Sequence, residues 1–483
     1  MTITGLSNCA HCDDNNIHNH IYSQIDLYSL KERLNQIQIV SKSRNLNSSK
    51  WSSGLKMVLG EIRRRIGNIN KDQLFKDGTI MFISGTIAGI FNYIYQVYMG
   101  RALGPEEYGI FGALVAIFYM IWIISLTLGT STTQFVSMFD GEGKQIGFFL
   151  KGSLKWTIII GSAISMIFLI FSKALMNTLK LPDIWPILIL ILILFLSCIT
   201  PILDGSLRGL KRFYALGLTS IANTFFKLIF GIAFVVAGFG VSGALSGVAA
   251  GAFLGLIISF VFIKPYIRPN NPREPDFKFS SFYSYSFPVM VAMIGISIPS
   301  NLDVILATYL FTPVEAGLYT SVSVLGKMVF FFSGAVGTVM FPAIAENYAR
   351  GENTIGILKK SIVCAGALSG CLVLIYIMFP EIVIKIFGNK YINAVGMVAP
   401  YGIAMFFVSI IAVLINYHLA IRNMRYIVLF TGFTIIEVAL FMTFSSSMAE
   451  MINVLLVANF VFLTTSMIYT FRNDFMMRYR TKI

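Results

Sequence analysis

Twelve apolar segments, each close to the roughly 20 residues a helix needs to cross a hydrocarbon layer, follow one another between residues 78 and 472. They occupy 78–99, 107–138, 147–171, 184–204, 214–238, 241–263, 283–310, 315–345, 355–379, 393–421, 424–445 and 450–472. Inside lipid a backbone has no water to bond, so each segment is expected to be a helix that satisfies its own amides and carbonyls. The composition agrees, with 56% apolar and only 12% charged residues, about half the charged share of a soluble domain. A soluble globule is excluded, and the expected fold is an all-α polytopic membrane protein.

The net charge of +14 raises the question of a nucleic-acid partner. The distribution of the charge answers it. With the N-terminus inside, eighteen Lys and Arg fall in the inner loops and C-terminal segment and eleven in residues 1–76. Only five, Arg101, Lys173, Lys180, Lys385 and Lys390, fall in outer loops. This is the positive-inside pattern. It predicts a multi-pass plasma-membrane protein with both termini cytoplasmic, anionic membrane lipids as neighbours and no nucleic acid. Residues 1–76 are polar and rich in Asn, Ser and Gln, and read as a disordered cytoplasmic tail. Cys9, His11, Cys12, His18 and His20 cluster there without the spacing of a regular zinc module, so no metal or cofactor is expected.

The chain repeats itself. PEEYGIF at 105–111 matches PVEAGLY at 313–319, an offset of 208. Gly147 and Lys151 match Gly356 and Lys360 at 209, and KRF at 211–213 matches MRY at 424–426 at 213. Each repeat holds six spans, an even number, so the two are parallel and related by an axis along the membrane normal. The expected domains are a tail at 1–76, a six-helix bundle at 77–263, a cytoplasmic linker at 264–281, a second six-helix bundle at 282–472, and a C-terminal tail at 473–483. Proteins built this way carry their substrate between the halves in alternating-access fashion.

No P-loop, H-E-x-x-H or G-x-S-x-G string occurs, and the G-x-G-x-x-G at 238–243 joins two membrane helices rather than following a strand. The chemistry therefore rests on ionisable groups within the apolar layer, which are costly and mark functional sites. Lys327 lies near the middle of the eighth span and Lys227 just past the middle of the fifth, one in each half. Two such cations can grip one anion, or each can pair with a carboxylate. Asp303 in span 7 follows Pro288 and Pro299, which loosen the backbone beside it. It can take up a proton or a sodium ion, or neutralise Lys327. Glu437 in span 11 is a second coupling candidate. Span 1 offers Asn92, Tyr93, Tyr95 and Gln96 for sugar or phosphate contact, with Arg101 at its outer end. Arg208, Lys211 and Arg212 form an inner basic cluster that suits headgroups. In span 6, Gly243, Gly247, Gly251 and Gly255 recur every fourth residue, a close-packing face.

The runs RALGPEEYGIFG (101–112), EAGLYTSVSVLGK (315–327) and FPAIAENYARGE (341–352) resemble the Wzx-type oligosaccharide-lipid flippases. These form the polysaccharide biosynthesis branch of the multidrug/oligosaccharidyl-lipid/polysaccharide (MOP) exporter superfamily, and the likeness spans about 77–475. The resemblance implies two bundles around a cavity, with basic residues meeting the phosphates of a polyprenyl-linked glycan. Lys327, Lys227 and Arg101 suit that role. It also implies coupling to an H+ or Na+ gradient, for which Asp303 and Glu437 are the candidates, and glycan-assembly enzymes as partners. A single chain suffices for alternating access, so a functional monomer is expected. A cation-coupled multidrug exporter of the same superfamily and a membrane glycan polymerase or ligase are the competing readings. The enzyme would need a long outer loop, and the outer loops here are short.

Overall fold

The computed structural model describes residues 49–138, 143–267, 301–350, 352–421 and 423–480, all helix or short connection with no strand among them. Its first helical run, Ser49–Met138, breaks at Gly104, where φ 74° and ψ 173° leave the helical region and Pro105 follows. Glycine accepts a positive φ without a Cβ clash, and proline at the next position starts a helix without missing an amide it would need. The run is thus two helices, α1 (49–103) and α2 (105–138). Its stretch 49–76 lies where the sequence suggested a disordered tail. There Leu55, Val58, Leu59, Ile62 and Ile66 recur at helical spacing, which accounts for the difference. The chain divides into two compact units, Met1–Thr79 and Ile80–Ile483, and the second holds everything described below.

After α2 come α3 (Gly143–Ile170), a short α4 (Ser172–Thr178), α5 (Trp185–Gly209), α6 (Phe213–Val236) and α7 (Gly240–Ile267). The second half runs through α8 (Asn301–Leu310), α9 (Pro313–Ala349), α10 (Ile355–Met378), a short α11 (Pro380–Lys385), a 3-10 turn at Asn389–Ala394, α12 (Val395–Ala420), α13 (Met424–Thr443) and α14 (Met448–Arg480). Among the described residues nine helices are long and apolar enough to cross a membrane, the first counting α1 and α2 together. The shorter apolar helices at 301–310 and 428–443 fall on the seventh and eleventh expected spans. The architecture is twelve helices in two six-helix bundles. Of the linker expected at 264–281, residues 264–267 continue α7, while 268–281 and both prolines expected to bend span 7 lie outside the described residues.

The repeat is visible in detail. Helices α4 and α11 start 208 residues apart, and each is followed within three residues by one of positive φ, Lys180 (φ 54°) and Gly388 (φ 112°), again 208 apart. Thr312 opens α9 through a capping box with Glu315, the counterpart of Glu107 in α2.

Burial divides the molecule along the helix axes. At one end a single core takes residues from both halves, among them Tyr95, Met99, Tyr108 and Phe111 from the first and Tyr319, Phe387, Tyr391 and Tyr401 from the second. At the other end the described residues form two separate cores. One belongs to the first half (Val136, Phe149, Leu203, Leu216, Ile263), the other to the second (Met340, Leu358, Leu414, Tyr426, Phe462). The joined end rests on glycines. A methyl on Gly109 would meet the Gly317 amide nitrogen at 2.7 Å and the Pro313 carbonyl at 2.8 Å, so α2 and α9 approach backbone to backbone.

Candidate functional site

Among the described residues each half carries one lysine inside its bundle, and each of these lysines is held by an asparagine on the first helix of its own half. In the first half Lys227 on α6 donates from Nζ to Asn92 Oδ1 at 2.9 Å. In the second, Lys327 on α9 donates to Asn301 Oδ1 on α8 at 3.3 Å. Asn301 stands 209 residues after Asn92, within one residue of the repeat.

The surroundings of the two lysines differ. The Lys227 ammonium lies 4.4 Å from the centroid of the Tyr95 ring, whose negative face attracts a cation. Tyr95 is fixed by its own hydroxyl, which donates to the Ala244 carbonyl of α7 at 2.6 Å. Among the described residues no carboxylate pairs with Lys227, which is 8% exposed. The counterpart of Tyr95, 208 residues on, is Asp303. Its charge acts on Lys327. The Asp303 Oδ2 also accepts hydrogen bonds from Tyr401 at 2.6 Å and Tyr319 at 3.2 Å. The Tyr401 oxygen lies 2.9 Å from Ser323 Oγ, and the two tyrosine rings pack edge to face at 5.8 Å. Among the described residues, one half therefore leaves its lysine without a neighbouring carboxylate, and the other sets an acid near enough to act on it.

Glu437 on α13 stands in an apolar setting. Its Oε1 accepts from Asn459 Nδ2 at 3.0 Å, and the same nitrogen donates to the Leu455 carbonyl at 2.8 Å. The second bond fixes which way the amide points, because a carbonyl accepts only from the nitrogen side. Both side chains line a cavity of about 150 Å³ between α9, α12, α13 and α14, walled by Phe330, Met405, Phe430 and Phe462. The Asp303 and Glu437 carboxylates lie near enough to act on each other.

Of the residues expected from sequence, Lys227 and Asn92 come together, as do Lys327 and Asp303. Gln96 does not join either lysine. Its Oε1 accepts from Tyr108 of α2 at 3.2 Å. Arg101 is exposed at the joined end, where its Nε donates to the Ile386 carbonyl at 2.7 Å. Tyr93 faces the second half, near Tyr376 of α10. The glycine face of α7 packs on α6 as expected, and it packs where Lys227 is. A methyl on Gly251 would lie 2.8 Å from Lys227 Cβ, and one on Gly247 would lie 2.9 Å from the Lys227 carbonyl. In the basic cluster, Arg212 donates to Tyr266 at 2.8 Å, and nearby Asp204 accepts from Ser259 at 2.6 Å. The residues that pattern reading missed are Tyr319, Tyr401, Asn301 and Asn459. Asn301 and Asp303 had a readable signal, since the 208-residue offset carries the Asn92–Tyr95 segment onto them within a residue. Among the described residues no His, Cys, Asp and Glu group could hold a metal ion, and the Cys and His of residues 9–20 lie outside them.

Two parallel six-helix bundles joined at one end, with ionisable groups buried in each, define a polytopic membrane protein with the two-bundle transporter fold. The chain belongs to the polysaccharide biosynthesis protein family, which matches residues 74–348. Its fold is similar to that of an inward-facing multidrug resistance MATE family transporter of the MOP superfamily, with a TM-score of 0.63 and 15% identity over 79% of this chain and 94% of that one. It is equally similar to the lipid II flippase MurJ in an inward closed conformation, with a TM-score of 0.63 and 16% identity over 80% and 87% of the two chains. In sequence it is 22% identical over 328 residues to an uncharacterized membrane protein of Methanocaldococcus jannaschii, covering 64% of this chain and 75% of that protein.

Proposed function

We propose that this protein is a flippase. It translocates a polyprenyl-(pyro)phosphate-linked oligosaccharide from the cytoplasmic to the outer leaflet for surface-glycan assembly, without altering it chemically. The observation that carries this reading is Lys227, a buried cation within α6 whose partners are an amide oxygen and a ring face. An ammonium has three donors, and Asn92 takes one. What remains is a positive point charge suited to a phosphate. Joined at the end that the charge distribution assigns to the outside, the two halves bury separate cores at the cytoplasmic end, which suits loading from that side.

The second half supplies the coupling. Asp303 holds Lys327 while it is charged. Asp303 takes up H+ or Na+ from the outer side, which removes the counter-charge of Lys327. The ion leaves to the cytoplasm on the return step, which restores the counter-charge, so that each substrate carried out is exchanged for an ion carried in. Glu437 senses the same exchange through its proximity to Asp303. The protein works as a monomer in the plasma membrane with both termini cytoplasmic, and glycan-assembly enzymes supply and use what it moves.

The test is a strain lacking the gene and complemented with Lys227→Met. Loss of surface glycan with accumulation of the lipid-linked unit on the inner leaflet, at normal protein level, is the expected result. Normal surface glycan in that strain would refute the reading. The apolar cavity around Glu437 and Asn459 favours a second reading, export of a small lipophilic cation. That reading predicts normal glycan and raised sensitivity to cationic drugs in the deletion strain.

A further inference from the structure

The hydrogen bonds described between the halves all lie at the joined end, and they fall into two sets that the repeat makes equivalent. In the first set, Lys180, just past the short helix α4, reaches from the first half to the carbonyl of Phe311 at the carboxyl end of α8, at 3.1 Å. In the second, the carboxyl end of α1 meets the carboxyl end of the short helix α11. Arg101 donates from Nε to the Ile386 carbonyl at 2.7 Å and from Nη2 to the Lys385 carbonyl at 3.5 Å. From the other side Tyr391 donates its hydroxyl to the Gly100 carbonyl at 2.7 Å. In both sets the short helix of one half meets the first helix of the other, and a first-half cation donates to a second-half helix end. Carbonyls at a helix carboxyl end have no partner within their own helix and carry its partial negative charge. They bond a cation without needing a carboxylate there.

Both cations are exposed, so water can replace either bond when the end opens. The glycine contacts beneath them carry no such polarity. Gly109 against Gly317 is van der Waals packing that any tight closure would share.

We infer that Lys180 on Phe311, and Arg101 with Tyr391 across the α1–α11 contact, are paired clasps that hold this end shut and set the resting balance between a state joined here and a state open here. The inference rests on the alternating-access reading proposed above. Neither cation would touch substrate in the joined state, which gives Arg101 a role other than phosphate contact.

The experiment uses the full-length chain, purified in nanodiscs, with Cys9, Cys12, Cys198, Cys364 and Cys371 replaced by serine. Spin labels go on cysteines introduced at Lys173 and Glu381, exposed and equivalent positions on α4 and α11. Their separation is read by double electron–electron resonance. Lys180→Met and Arg101→Met keep an apolar stem and remove the donor. Each is expected to raise the population at longer separation by roughly threefold to tenfold, the span of one lost hydrogen bond. The double variant should exceed both, and Tyr391→Phe should act in the same direction. Lys385→Ala, whose side chain bonds only Glu381 of its own helix, should change nothing. An unchanged distribution in the clasp variants, or an equal change in Lys385→Ala, overturns the clasps. Gly109→Leu separates the two failures, because its side chain must force α2 from α9 whatever the clasps do. If that wedge opens the end and the clasp variants do not, the clasps alone are wrong. If even the wedge yields no longer separation, the two-state reading falls and the clasps fall with it.

Discussion

Position 95 and its repeat partner 303 decide what each lysine can do. Tyr95 offers Lys227 a ring face, worth about 2 kcal/mol when desolvated, and leaves the full charge in place. Asp303 offers Lys327 an opposite charge. Tyr95→Phe is expected to keep transport within about twofold of the parent, because the ring stays and only the bond to Ala244 is lost. Tyr95→Leu should lower it roughly thirtyfold, the equivalent of the lost ring interaction. Translocated lipid-linked glycan measured in inverted vesicles distinguishes the two. Asp303→Asn removes the charge while leaving an oxygen for Tyr401. The protein should lose about 1–3 kcal/mol in denaturant melts, and its transport should no longer follow an imposed H+ or Na+ gradient. Both lysines and both acids were legible in the sequence, since charge inside an apolar span is visible without coordinates. The Asp303 tyrosines were not, because Tyr319 and Tyr401 lie 16 and 98 residues away on other helices, and nothing in a local pattern says which of 21 tyrosines will face a given acid.

Helix α7 supports Lys227 by packing against α6. Its four glycines read in sequence as a packing face, and they are one, but the sequence did not say what they pack against. They let α6 lie so close that Asn223 and the backbone of Lys227 fill the space where side chains would be. Gly251→Leu should therefore cost about 1–3 kcal/mol of stability through overpacking and should abolish transport even in molecules that remain folded, because it pushes Lys227 away from Asn92. Gly255→Ala, whose new methyl meets only the Asn223 side chain at 3.1 Å, should be much milder. Thermal melts in detergent and vesicle transport of the pair report both effects. The short helices α4 and α11 were invisible as elements, being too brief and too mixed to carry a periodic signal. Their sequence trace was basic residues in outer loops, read there only as orientation.

For the whole molecule, the twelve spans and the two halves were legible because hydrophobic length and the 208-residue echo are properties of the chain. Which end the halves share was not, since that depends on how two finished bundles meet. The orientation remains a direct prediction. A membrane-impermeant thiol reagent added to intact cells should modify a cysteine at Lys173 or Lys390 and spare one at Lys211 or Lys359. The reverse pattern would turn the molecule over and move loading to the other leaflet. The glycine contact between α2 and α9 bears on the cell's energy supply. A membrane that stores an electrochemical gradient is a charged capacitor, and any thread of water through a protein discharges it. Backbone packed on backbone at Gly109 and Gly317 leaves no room for such a thread between α2 and α9. This end of the protein is, in electrical terms, part of the dielectric of that capacitor.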